Sequence, residues 1–315
     1  MGLSNTNILG EGISTTPVDL SRSWDTSQIT AIIPVRIDSA ERLRNLQTVL
    51  RFIGNEYGCP VIVTESDTKQ KITTGSVPEI SLPNVQYQFV PSSAQYFHRT
   101  RFLNDMLLQV TTPYVANWDC DILVCSNTMK EVCFLLEQGY DLVYPYCRGA
   151  MVSNTVTPTL VADIVRTPTS KKLANCKPTS ISSVGNPWLA SKGIKGVATT
   201  GCLQVFRVQS YINGYGENED FVDYGPEDYE RFFRFHVLGY KIAWLPSQSH
   251  TKCRMIHLPH PKSPVAANSK NRYYTQNHRL WDHILSKISN KESMIRYMEA
   301  KRYWRRFANR MTTKH

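Results

Sequence analysis

Tyr114-Val115-Ala116-Asn117-Trp118-Asp119-Cys120-Asp121-Ile122-Leu123 reads as an apolar strand that runs out into two carboxylates one residue apart. Carboxylates so spaced at a strand end can hold a hard divalent cation against a diphosphate. Alone, the pair is equally well a solvated turn. A second acidic pair lies downstream in Tyr224-Gly225-Pro226-Glu227-Asp228-Tyr229, where Glu227 and Asp228 open a helical pattern. Such a pair can supply a general base, or simply decorate a helix N-terminus behind a proline.

The flanking chain decides between these readings. Upstream, Ile29-Thr30-Ala31-Ile32-Ile33-Pro34-Val35 is a buried-strand pattern. Leu43, Leu46, Val49, Leu50 and Ile53 follow at helical spacing behind Ser39, then strands over 60–64 and 85–90. Phe102, Leu103, Met106, Leu107 and Val110 form a second helical stripe, directly before the Asp119 strand. Thr128-Met129-Lys130-Glu131 fits a capping box for a helix stopping at Gly139, and Asp141–Tyr144 is another strand. Strand–helix alternation predicts an α/β fold, a Rossmann-like, mostly parallel sheet with helices on both faces. Strand ends carry the ligand sites in such sheets, which favours a site at Asp119 and Asp121.

Residues 150–198 are weakly periodic and predict an irregular excursion over the cleft. A helix is expected from Glu227 to Leu238, a strand over 241–245, a mobile polar loop over 261–271, and an amphipathic helix through Leu280, Trp281, Ile284, Leu285 and Ile288. The organisation expected is an N-terminal arm (1–28), one catalytic domain (29–262), and a loop with basic C-terminal helices (263–315).

The 315 residues are 41% hydrophobic, enough for a sizeable core, and include no apolar run long enough to span a bilayer. No basic-then-apolar leader opens the chain, and the eight cysteines form no Cys-x-x-Cys. A reducing, cytoplasmic setting is expected, with thiols rather than disulfides or zinc. Net charge is +10, concentrated late in Lys301-Arg302-Tyr303-Trp304-Arg305-Arg306-Phe307. Basic residues among aromatics suit peripheral contact with the membrane inner face, or a solvated helix with its aromatic side packed on the domain.

Four segments, in order, resemble the GT-A glycosyltransferases, especially the β1,4-galactosyltransferase group and bacterial family 2 relatives. They are Ile32-Ile33-Pro34-Val35-Arg36; Phe97-His98-Arg99-Thr100-Arg101-Phe102-Leu103-Asn104; the Asp119–Asp121 strand; and Ile212-Asn213-Gly214-Tyr215 followed by Tyr224–Asp228. Cys253-Arg254-Met255-Ile256-His257 is similar to the family's metal-ligand segment. The likeness covers roughly 29–262. It departs at Pro226, where the family has glycine, at Tyr224, where it has tryptophan, and at His257, which follows Met-Ile without the usual spacer. His260 is the other choice of ligand.

The resemblance implies an inverting, Mn²⁺-dependent (or Mg²⁺-dependent) transfer of a hexose or N-acetylhexosamine from a UDP-sugar donor to a glycan or glycolipid acceptor. Asp121 and His257 would bind metal, with Asp119 on the ribose or on metal-bound water. Pro34, Arg36, Glu65, Arg99 and Gly201 would contact the donor. Asp228 would be the general base, Glu227 would hold acceptor hydroxyls, and Tyr224 would stack on the acceptor. Two other classes compete. A nucleotidyltransferase would carry a Gly-rich loop after the first strand, and Pro34–Ala40 has no glycine. A basic nucleic-acid-binding protein leaves the ordered acidic motifs unexplained, so no nucleic-acid partner is expected.

Overall fold

A computed structural model describes residues 25–146, 158–173, 187–197, 199–245, 255–261 and 272–312. Of the expected arm, Asp25 caps a single turn at Thr26–Gln28, and residues 1–24 lie outside the described residues. Strand β1 (Ile29–Val35) is buried throughout, as its unbroken apolar run requires of a strand covered on both faces. Helix α1 (Ala40–Glu56) starts where the Ser39 hydroxyl accepts from Arg42 N. Strands β2 (Val61–Asp67) and β3 (Val85–Pro91) follow, then α2 (Arg99–Leu107) and β4 (Tyr114–Trp118).

The chain then turns at Asp119–Asp121 and resumes as β5 (Ile122–Val124), followed by α3 (Ser126–Glu137) and β6 (Leu142–Tyr144). The expected capping box does not form. The N-cap is Cys125, with no side-chain cap, because α3 begins before Thr128. The excursion holds more order than its composition predicts, with α4 (Pro158–Arg166), α5 (Ser170–Leu173) and α6 (Pro187–Ser191) among its described residues. Ile164, Leu173 and Leu189 are buried, so tertiary contact supplies what weak periodicity does not. Next come β7 (Leu203–Arg207), α7 (Val208–Asn213), α8 (Glu227–Leu238), β8 (Ile242–Trp244) and β9 (Met255–His257). The chain closes with α9 (Arg272–Lys287), α10 (Lys291–Glu299) and α11 (Arg302–Thr312). The loop expected to be mobile lies, from 262 to 271, outside the described residues.

Seven strands form one sheet in the order β3-β2-β1-β4-β7-β6-β8, flanked by helices. All neighbours are parallel except β7, which runs antiparallel to both β4 and β6. Pro34 lies past the last residue pair joining β1 to β4, Ile32 with Asn117, so its missing N–H breaks no ladder there. The β4–β7 register sets Trp118 opposite Leu203 and brings Asp119 against Gly201–Cys202, where Asp119 N donates to Cys202 O at 3.1 Å. β5 leaves the sheet and pairs with β9, so that Ile122 faces His257. Trp281 of α9 is fully buried edge-on to Phe233, and α10 packs on α8. Among the described residues, no helix is long and apolar enough to cross a membrane, and Cys59, Cys120, Cys125, Cys133 and Cys202 are free thiols.

Candidate active site

The β5–β9 ribbon assembles the first half of the site. Asp121 immediately precedes β5, His257 ends β9, and Leu258 N donates to Asp121 O at 2.8 Å. This pairing sets His257 Nε2 3.5 Å from Asp121 Oδ1 and His260 Nε2 3.1 Å from Oδ2. One ligand atom from each of the three residues lies within 4.8 Å of the others. Both histidines flank Asp121, so the choice between them at the sequence level becomes a pair.

A mixed carboxylate–imidazole set suits a borderline divalent metal such as Mn²⁺ better than all-oxygen sites do. A further contact fits that role. His260 Nδ1 lies 2.8 Å from Pro261 O, which assigns a proton to Nδ1 and leaves Nε2 as the nitrogen that faces Asp121. Burial by itself raises the Asp121 pKa, but hydrogen bonds from His257 and His260 outweigh it and hold the carboxyl well below the usual range. Arg42 Nη1 reaches Asp121 Oδ2 at 3.4 Å while Nε pairs with Asp38 at 2.8 Å.

Asp119 points the other way. Its Oδ1 accepts from Arg99 Nη2 at 2.8 Å. Arg99, at the start of α2, links this half to the second: its Nη1 lies 3.9 Å from Glu227 Oε1 and 3.8 Å from Asp228 Oδ1. Arg99 Nη1 and Glu227 Oε2 are buried and make no hydrogen bond among the described residues. Buried polar atoms without partners cost free energy, so their presence together marks a place prepared for a polar ligand. Desolvation, reinforced by the Asp228 charge, pushes the Glu227 carboxyl well above its ordinary range.

Asp228 is held from behind. Arg231, fully buried one turn along α8, donates to Asp228 Oδ1 and, at 2.7 Å, to Glu217 Oε1. Glu217 in turn accepts from Asn117 Nδ2 at 3.1 Å and from the Tyr211 hydroxyl. Asp228 Oδ2 faces Gly201, where a Cβ would lie only 2.8 Å away. Gly201 therefore leaves the space beside that oxygen open. Tyr224 is half exposed, on the loop leading to Pro226 and α8.

Other expected donor contacts lie elsewhere. Arg36 spends its donors on Ser66 O (3.1 Å) and Ala94 O (3.2 Å), tying the ends of β2 and β3. Glu65 is buried and accepts from Lys71 N, Ile72 N and the Tyr87 hydroxyl at 2.8, 3.1 and 2.6 Å. In this structure both brace the sheet edge. Arg42, Arg231 and Glu217 escape the sequence reading. Arg231 has a signal, its i,i+3 spacing from Asp228. Glu217 has none. Cys202, Tyr215 and Asp223 adopt positive φ (71°, 72° and 64°), each beside a site segment, and nothing in their residue types announces it.

In fold the chain is similar, at low identity, to solved structures of glycosyltransferases. Among solved structures it is similar to a mannosyltransferase from Pyrobaculum calidifontis in complex with GDP-Man and Mn²⁺ (TM-score 0.44, 16% identity, covering 72% of this chain and 59% of that one). It is similar to the catalytic domain of Drosophila β1,4-galactosyltransferase 7 complexed with xylobiose (0.41, 13%, 74% and 71%). It is also similar to S. aureus TarS 1–349 in complex with UDP-GlcNAc (0.46, 13%, 75% and 59%). The chain thus spans 59% of the mannosyltransferase and TarS 1–349 structures. No family model matches the sequence, and no curated protein does.

Proposed function

We propose that residues 29–262 form an inverting glycosyltransferase that moves a hexose or N-acetylhexosamine from a UDP-sugar to a glycan or lipid-linked acceptor. The observation that carries this reading is the junction at Arg99. One guanidinium joins Asp119, next to a carboxylate–imidazole cluster, to Glu227 and Asp228 at the start of α8. A metal-binding group and a base-bearing group side by side are what displacement of a nucleoside diphosphate by a hydroxyl requires.

Asp121, His257 and His260 would hold Mn²⁺, which offsets the charge of the departing diphosphate. Asp119, fixed by Arg99, is placed to accept from the ribose. Asp228 takes the acceptor hydroxyl proton at Oδ2, the oxygen facing Gly201, while Arg231 keeps Oδ1 and so fixes the carboxylate plane. Such a base typically contributes ~10²–10⁴-fold. Glu227, its carboxyl pKa raised by burial, would hydrogen-bond the acceptor hydroxyls. Tyr224 offers a ring face to the acceptor sugar. An anionic membrane surface would meet α11 through Arg302 and Arg305, which are exposed, because Tyr303 and Phe307 are buried in the core. The cytoplasmic setting belongs to the same proposal.

The test is a screen of UDP- and GDP-sugars for hydrolysis with Mn²⁺, Mg²⁺ or chelator present. Metal-dependent release of UDP from one donor is the expected result. Failure of every donor to be bound or hydrolysed with metal present overturns the reading.

A further inference from the structure

Tyr224 is one of two exposed large hydrophobic residues among the described residues, at 50% exposure. It is also the first of a row of rings. Its ring stacks on Tyr274 of α9 (centroids 6.3 Å apart, planes 18° apart), and Tyr274 meets His278 one turn on at 4.2 Å. His278 meets Trp188 of α6 at 4.9 Å, and Trp188 meets Tyr229 of α8 at 6.5 Å. Tyr274, His278, Trp188 and Tyr229 are all only partly buried. Aromatic clusters that serve only the core are closed: Phe206 stacks on Tyr211 and meets Phe235 edge-on, and none of the three is exposed. A row left open forgoes the free energy of covering its apolar surface, which marks it as a surface for a ligand.

The Tyr224 end of the row is held against α9. Asn277 of α9 donates to Val222 O (2.7 Å) and Tyr224 O (3.0 Å) and accepts from Val222 N (3.3 Å). A Cβ on Gly225 would lie 2.5 Å from Asn277 Nδ2, so only glycine lets α9 dock this closely on the Tyr224 loop. Fixing the rings beforehand lowers the entropy lost on binding.

We infer that this row is a platform for further sugar rings of the acceptor, so that the acceptor is an oligosaccharide chain rather than one sugar. The inference rests on the glycosyltransferase reading for the direction in which the chain runs, away from Glu227 and Asp228. Pyranose rings carry apolar C–H faces and polar edges, and pack on partly exposed aromatic rings. Burial lowers the His278 pKa, which disfavours a charge on its ring.

The test is calorimetric titration of the protein, with UDP and Mn²⁺ present, by xylose, glucose, galactose and N-acetylglucosamine and by their β-linked dimers and tetramers. At least one series should bind about tenfold more tightly as it lengthens, the gain expected of one well-stacked ring. Tyr274→Ala and Trp188→Ala, on separate elements, should each bring the tetramer-to-monomer ratio to within about twofold. Tyr274→Phe, which keeps the ring, should retain it. Affinity independent of length in every series, a gain that survives both alanine variants, or preferential binding of detergent or lipid micelles overturns the inference. Length-dependent binding without metal-dependent donor hydrolysis would refute the catalytic reading and spare the platform. Hydrolysis without length dependence would do the reverse.

Discussion

Asp121 is the residue on which the candidate metal site turns, since both His257 and His260 converge on its two oxygens. Asp121→Ala should abolish Mn²⁺-dependent UDP binding, and calorimetry on a folded variant checks it. Asp228→Asn can still present an oxygen to Arg231, so the fold and donor affinity should persist while kcat falls about 10²-fold or more. Glu227→Gln should instead raise KM for the acceptor, and steady-state kinetics on both variants separates the roles. Glu227 also makes a prediction for pH. Its carboxyl, raised from the ordinary 4.5 by burial, costs nothing below that value because it is protonated in both states. As pH rises from 4.5 toward the folded pKa, the unfolded chain releases its proton first, and stability falls. Glu227→Gln removes that slope, so its melting temperature should gain on wild type as pH rises above 4.5. Parallel melting curves would contradict this.

At the scale of elements, the hinge of the site is the close approach of α9 to the loop before α8. Gly225→Ala places a methyl group 2.7 Å from Asn277 Cβ, which side-chain rotation cannot relieve. We expect a loss of ~1–3 kcal/mol in chemical denaturation, the usual scale of overpacking. Helix α9, within the C-terminal stretch expected from sequence over 263–315, shares a core with α8 through Trp281 and Phe233. The interleaved basic and aromatic residues of α11 divide likewise. Tyr303 and Phe307 pack inward, and Trp304 sits edge-on to Tyr215 at 4.8 Å.

Across the whole molecule, the site joins β4, β5, β9, α2 and α8, which no short segment holds together. A ligand engaging several of these elements binds the folded chain and not the unfolded one. Mn²⁺ with UDP at one hundred times the dissociation constant should add about 2.7 kcal/mol. The melting temperature should rise by several degrees, and chelator should reverse the rise. Scanning calorimetry with UDP alone, Mn²⁺ alone and both together checks it. A shift with UDP that ignores the metal would count against the Asp121 cluster.

Local rules decided much of this protein. The unbroken apolar run over Ile29–Val35 could only be a covered strand, and the i,i+3/i+4 stripe behind Ser39 could only be a helix. Glu227 was readable as a helix start because acidic side chains there meet unpaired N–H groups. The order of motifs was likewise enough to suggest the chemistry. Tertiary structure alone decided the company each residue keeps. Asp119 and Asp121 face opposite ways because β5 leaves the sheet to pair with β9, a register set by partners far along the chain. His260 joins His257 at Asp121 for the same reason. Arg36 and Glu65 brace strand ends because backbone groups there needed partners. Arg231 and Glu217 support Asp228 from within a core that periodicity marks only as buried. Sequence patterns report the periodicity of an element. The direction of a side chain at its end follows from which distant segment packs there.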